Sequence, residues 1–165
     1  MNAVEERLVQ PFYLSMMGLN ALDSTGEHWE SLVAAGRTAT VDDVTRLFAQ
    51  GDWRAVVMGT WFSLGCDRDD VGATILTALD ACAGSLTAPP LAVVASRLVG
   101  PDALPQLNAY LERDLAQGYG SASFVAAAVQ DLEGYPAVDV QDRDRDRLRG
   151  MLDVADRLAA ALSSG

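Results

Sequence analysis

The sequence predicts an all-α fold, and three observations carry that prediction. Alanine and leucine dominate a chain in which half the residues are hydrophobic and Ile75 is the single isoleucine, a composition rich in helix formers and poor in strand formers. Apolar residues recur at spacings of three and four along most of its length. The stripes are separated by short runs of glycine, proline and capping residues, and loops this short make consecutive helices antiparallel neighbours.

In order along the chain, residues 5–22 read as one helix or two, because Pro11 fits a first-turn position or a kink. Ser24-Thr25-Gly26 makes a turn, and a short helix from Glu27 to Ala35 ends at Gly36. Thr40, with Asp43 three residues on, starts the next helix, which sets Val41, Val44, Leu47 and Phe48 on one stripe and stops at Gly51. Asp52 caps its successor at once, and there Trp53, Val57, Trp61 and Leu64 share a face. Gly59 interrupts that helix at a cost of about 1 kcal/mol relative to alanine. A neighbouring helix passing close by explains it, and so does a gap left for a ligand or partner.

Asp67 caps a segment that aligns Val71, Ile75, Ala78, Leu79 and Cys82 and closes at Gly84. Pro89 and Pro90 open a helix from Leu91 to Val99 that is apolar all round except for Ser96 and Arg97, which places it centrally. Asp102 begins the next, with Leu104, Leu107, Leu111 and Leu115 inward, Glu112, Arg113 and Asp114 outward, and an end at Gly118-Tyr119-Gly120. Ser121 or Ser123 caps a second nearly all-apolar helix, Phe124 to Leu132, before a Gly134-Tyr135-Pro136 turn. The last helix runs from about Asp139 to Leu162 on a seam of Leu148, Met151, Leu152, Ala155, Leu158, Ala159 and Leu162.

The pairs 41–65, 68–99 and 101–134 have the length of stacked helical repeats. The expected architecture is therefore an irregular α-solenoid of HEAT-like helical hairpins forming one domain over residues 1–165, with a closed helical bundle as the alternative.

The formal net charge is −11, and all twelve basic residues are arginine. Residues 1–138 hold seventeen of the 23 acids but only seven arginines, so the acidity belongs to the body of the fold. Such a surface repels nucleic acid and anionic membranes and attracts a basic partner. No apolar run is long enough to span a bilayer, and Glu5 and Glu6 stand where a secretory signal would be positive, so a cytoplasmic location is expected. Cys66 and Cys82 lie on apolar stretches with no CxxC spacing and read as reduced, mostly buried thiols.

The sequence implies no metal and no cofactor. Asp142-x-Asp144-x-Asp146 with Asp153 imitates a calcium loop, but Arg147 occupies the position that needs glycine and three arginines interleave the acids. Asp67-Arg68-Asp69-Asp70 reads as helix-start chemistry, and Gly118-x-Gly120 follows a helix where a dinucleotide site requires a strand. The only imidazole, His28, lies near Asp23 and Ser24 on a polar turn, without a nucleophile and orienting group in evidence. Arg54 and Arg97 are charges on otherwise apolar helices. Each either pairs with an inward acid such as Asp80 or Asp131, or lines a groove with the tryptophans, residue types that dominate binding hot spots. The candidate partner-binding residues are Trp53, Arg54, Trp61 and Arg97.

Gly51-Asp52-Trp53-Arg54 with Gly59-x-Trp61, flanked by Pro11-Phe12-Tyr13-Leu14 and Ala109-Tyr110-Leu111-Glu112-Arg113, resembles an uncharacterised, mostly actinobacterial domain-of-unknown-function family over residues 10–135. Family members usually carry a more aromatic and polar stretch where this chain has Ala88-Pro89-Pro90 and Ser121-Ala122-Ser123. The resemblance implies a HEAT-like helical single domain and brings no catalytic residues. The expected function is a non-catalytic, acidic protein-interaction module with a basic protein partner, in its narrower form an immunity- or antitoxin-type protein. The alternative is an enzyme working through carboxylates and arginines in a helical groove.

Overall fold

Local chemistry sets most of the helix boundaries in the computed structural model, which describes residues 2–164. Those residues form ten α-helices and no strand. Thr40 accepts from the Asp43 N–H while the Asp43 side chain accepts from the Thr40 N–H, a reciprocal capping box that opens α4 (Val41–Ala49). Gly51 follows at φ +71°, and the Asp52 carboxylate accepts the Arg54 N–H to start α5 (Trp53–Phe62). Next come α6 (Arg68–Ala81), α7 (Ala88–Leu98), α8 (Leu104–Gln117), α9 (Ala122–Asp131) and α10 (Asp142–Ser163).

The hairpins stack in layers. Helices α4, α6 and α8 neighbour one another in turn, as do α5, α7 and α9, while α10 packs along α7 and α9 on the opposite side. The middle layer is thus covered on both faces. That position explains why α7 is buried continuously from Ala88 to Ser96, and why Phe124 to Val129 of α9 are buried without a break. Gly59 lies where α4 crosses α5: a Cβ there would stand 3.2 Å from both Leu47 Cβ and Phe48 Cε2. Close helix packing therefore accounts for the glycine.

Several expectations need correction. The N-terminal stretch is not one helix but α1 (Ala3–Leu8), α2 (Tyr13–Met16) and a 3₁₀ turn at Asn20–Asp23, because Pro11 has no N–H to donate and its ring disfavours helical geometry before it. The next helix, α3 (Gly26–Thr38), runs through Gly36. That glycine admits neighbours rather than stopping the helix, since a Cβ would meet Leu162 Cδ2 at 2.6 Å. Asp67 occupies its N-cap position without a side-chain cap bond. The final helix begins at Asp142, three residues later than expected.

The polarity of α8 is also reversed at one turn. Leu115 is 59% exposed, while Asp114 is only 3% exposed. The Asp114 carboxylate is buried because three donors meet it: the Tyr110 hydroxyl at 2.8 Å and the N–H groups of Gly120 and Ser121 at 3.1 and 2.9 Å. Burial first, and then the bond to Asp114, raises the Tyr110 hydroxyl pKa far above its ordinary value. This network fixes the α8–α9 turn.

Candidate functional site

Small side chains open a groove in the first layer. Helix α6 presents Ala73, Thr74, Thr77, Ala78 and Ala81 toward Thr45 and Ala49 of α4, leaving a hollow of about 890 Å³. Phe48, Trp53 and Leu86 supply its large walls, and Val56 and Leu91 reach it from the layer beneath. Not one of its lining residues is charged. Leu86 is 39% exposed, and Trp53 is half-buried.

Arginine 113 shapes one lip of this groove from a distance. Its guanidinium donates to the carbonyls of Leu79 at 2.7 Å and Cys82 at 3.3 Å, closing the C-terminal end of α6, and lies 5.7 Å from the Tyr110 ring centroid. Sequence reasoning placed Arg113 outward and missed this role. Its partners lie 34 and 31 positions earlier, and no local spacing betrays such a bond.

The four sequence-predicted residues fall into different settings. Trp53 lines the groove, and Arg54 stacks beside it, with Cζ 4.5 Å from the Trp53 ring centroid and 5.4 Å from that of Tyr13. The Tyr13 and Trp53 rings meet edge to face at 5.8 Å. Trp61 is 0% exposed and donates its indole N–H to the Met16 carbonyl at 2.9 Å, so it is a core residue and offers nothing to a surface. Arg97 lies apart, forked onto Asp156 of α10 by bonds of 2.8 and 3.1 Å.

The acids expected to meet these arginines are therefore different ones. Arg54 approaches Asp52 at 3.5 Å and Arg97 pairs with Asp156, whereas Asp80 and Asp131 are exposed. The Arg54 side chain keeps 42% of its surface. It is the charged rim of an otherwise uncharged hollow.

Acids flank the groove along the helices that build it. Asp42 stands one turn before Thr45, Asp70 one turn before Ala73 and Thr74, and Asp80 one turn after Thr77, and all three are exposed. Helices α4 and α6 together carry five aspartates against Arg46 and Arg68.

The remaining chemistry-bearing groups do not assemble a reaction centre. His28 Nε2 meets Ser15 Oγ rather than Asp23 or Ser24, and its ring packs on the edge of Phe12. The Ser15 hydroxyl donates to the Phe12 carbonyl at 2.9 Å, so it accepts from Nε2–H, and the imidazole anchors the serine instead of activating it. Cys66 and Cys82 are free thiols, and burial first, then Asp70 and Asp67, push the Cys66 thiol pKa up, away from the reactive thiolate. The Asp142–Asp146 segment is helical and pairs internally with Arg145, Arg147 and Arg149 at i,i+3. Among the described residues no three His, Cys, Asp or Glu side chains converge as metal ligands would, and no helix is long and apolar enough to cross a membrane. No known protein family, curated protein or solved structure matches the chain.

Proposed function

We propose that the protein is a non-catalytic interaction module that receives a cationic amphipathic segment of another protein in the groove between α4 and α6. The observation that carries this reading is the pairing of an uncharged hollow of about 890 Å³ with exposed aspartates on the same helices. An apolar helix face fits the hollow, with Phe48, Trp53 and Leu86 as contact walls, and basic residues on its margins meet Asp42, Asp70 and Asp80. Trp53 and Arg54 belong to the residue types that concentrate binding energy. The net charge of −11 adds long-range attraction for such a partner and opposes nucleic acid. Immunity- or antitoxin-type neutralisation of a basic protein is the narrower form of this function, and the same charge supports it.

Catalysis by carboxylates and arginines draws less support from this groove, whose lining supplies neither group. The test is selection of short peptides from an unbiased displayed library against the folded protein, with Ala78→Trp as the counter-selection to block the hollow. Enrichment of basic, amphipathic sequences that the blocked variant rejects is the expected outcome. Enrichment of acidic or uniformly polar sequences, or of sequences indifferent to Ala78→Trp, would overturn the reading.

A further inference from the structure

A second cavity, of about 600 Å³, lies where the 17–20 segment, the loop before α7, the start of α9 and the start of α10 meet. Its character is opposite to that of the groove, because charged groups of both signs line it. The negative group is Asp144, whose side chain is only 10% exposed. Its carboxylate accepts no hydrogen bond from any described residue, and its single cationic neighbour is Arg147, whose Nη1 lies 3.5 Å from Oδ1. A carboxylate has about four acceptor sites, so a buried one in this condition lacks donors.

The positive side is made by backbone and arginine together. Helix α9 has no side-chain cap. The Ser121 N–H is taken by Asp114 and the Val125 N–H by the Ser121 carbonyl, leaving the first-turn N–H groups of Ala122, Ser123 and Phe124, and all three residues line the cavity. Unused N–H groups at a helix start attract anions. The Arg143 side chain lines the same space, and Met17, Leu19, Leu86, Pro89, Phe124 and Val138 give it apolar walls.

We infer that this cavity binds a small zwitterion of the α-amino-acid type with an apolar side chain. The ammonium donates to Asp144, the carboxylate accepts from the start of α9 and from Arg143, and the side chain rests on the apolar walls. A simple anion would leave the Asp144 carboxylate without donors, and a simple amine would leave the helix start without an acceptor. One molecule carrying both charges satisfies both. This inference stands independently of the groove between α4 and α6.

The test uses the unaltered protein and a panel of free apolar L-amino acids, read by calorimetry and by amide chemical shifts. For a member that binds, such as leucine, isocaproate lacks the ammonium and isoamylamine lacks the carboxylate. Saturable binding is expected, with shifts centred on Ser123, Phe124 and Asp144 and each truncated analogue weaker by about tenfold or more, the worth of one charge-assisted hydrogen bond. Asp144→Asn is expected to weaken the amino acid by a similar factor while leaving isocaproate unchanged. Absence of saturable binding across the panel, equal affinity for a truncated analogue, or shifts centred elsewhere would overturn the assignment.

Discussion

The guanidinium of Arg113 donates to the carbonyl of Leu79 at 2.7 Å, joining the middle of α8 to the last turn of α6 across 34 residues of sequence. The same side chain reaches the Cys82 carbonyl and so fixes the segment that forms one lip of the groove. Helix-terminal carbonyls buried without a donor are costly, and hydrogen bonds from a charged donor contribute about 1.5–3 kcal/mol each.

Replacing Arg113 with methionine keeps much of the aliphatic stem and removes the donors. The expected loss is about 2 kcal/mol in chemical denaturation. The loss is accompanied by faster hydrogen exchange at the end of α6, and a change confined to α8 would contradict the assignment.

Gly59→Ala sets two effects against each other. Alanine gains about 1 kcal/mol of helix propensity, but its Cβ must fit 3.2 Å from Leu47 Cβ, a rigid atom of a fully buried residue, and as close to the Phe48 ring. Overpacking costs about 1–3 kcal/mol and wins, so a lower melting temperature is expected. A stabilised variant would show that α4 and α5 separate easily.

The two tryptophans of the motif separate by experiment. Trp61→Ala empties a fully buried site and strands the Met16 carbonyl, with an expected cost of about 3–5 kcal/mol. Trp53→Ala removes a half-buried groove wall and costs less stability, while weakening the selected peptide by about 2 kcal/mol, a typical hot-spot loss. Denaturation curves beside binding isotherms distinguish the two residues, and similar profiles for both would contradict their assigned settings.

Asp43 makes the α4 cap sensitive to acid. Its backbone hydrogen bond from Thr40, together with the Arg7 guanidinium at 2.8 Å, holds the carboxyl pKa below the ordinary 3.8 despite its partial burial. A lowered pKa in the folded state means that the contribution is complete above the unfolded value and is lost as pH falls through the folded one. Melting temperatures of the native protein and Asp43→Asn are therefore expected to differ most near pH 6 and to converge below about pH 4. A gap that widens on acidification would contradict the cap geometry.

Much of this architecture was legible because its causes are local. Thr40 with Asp43, Gly51 with Asp52, and the proline pair at Pro89-Pro90 mark helix starts and stops that depend on neighbours a few residues away. What escaped depends on distant groups. Gly36 resembles a stop until Leu162 arrives beside it, and Asp114 resembles a surface acid until the α8–α9 turn folds two N–H groups onto it. Trp53 and Arg54 were legible as a candidate site, but the groove beside them was not. It arises from alanines and threonines of α4 and α6 facing each other, and small residues at helical spacing look the same in sequence whether they face a hollow or a packed neighbour.

The most direct measurement is the affinity of a selected basic peptide for the native protein and for Ala78→Trp, by fluorescence anisotropy at one salt concentration, with stability monitored alongside. An indole placed in the middle of the hollow is expected to weaken binding by about a hundredfold, equivalent to about 2.7 kcal/mol, while the melting temperature stays close to native. Equal affinity for the two proteins would contradict the groove between α4 and α6 as the docking site.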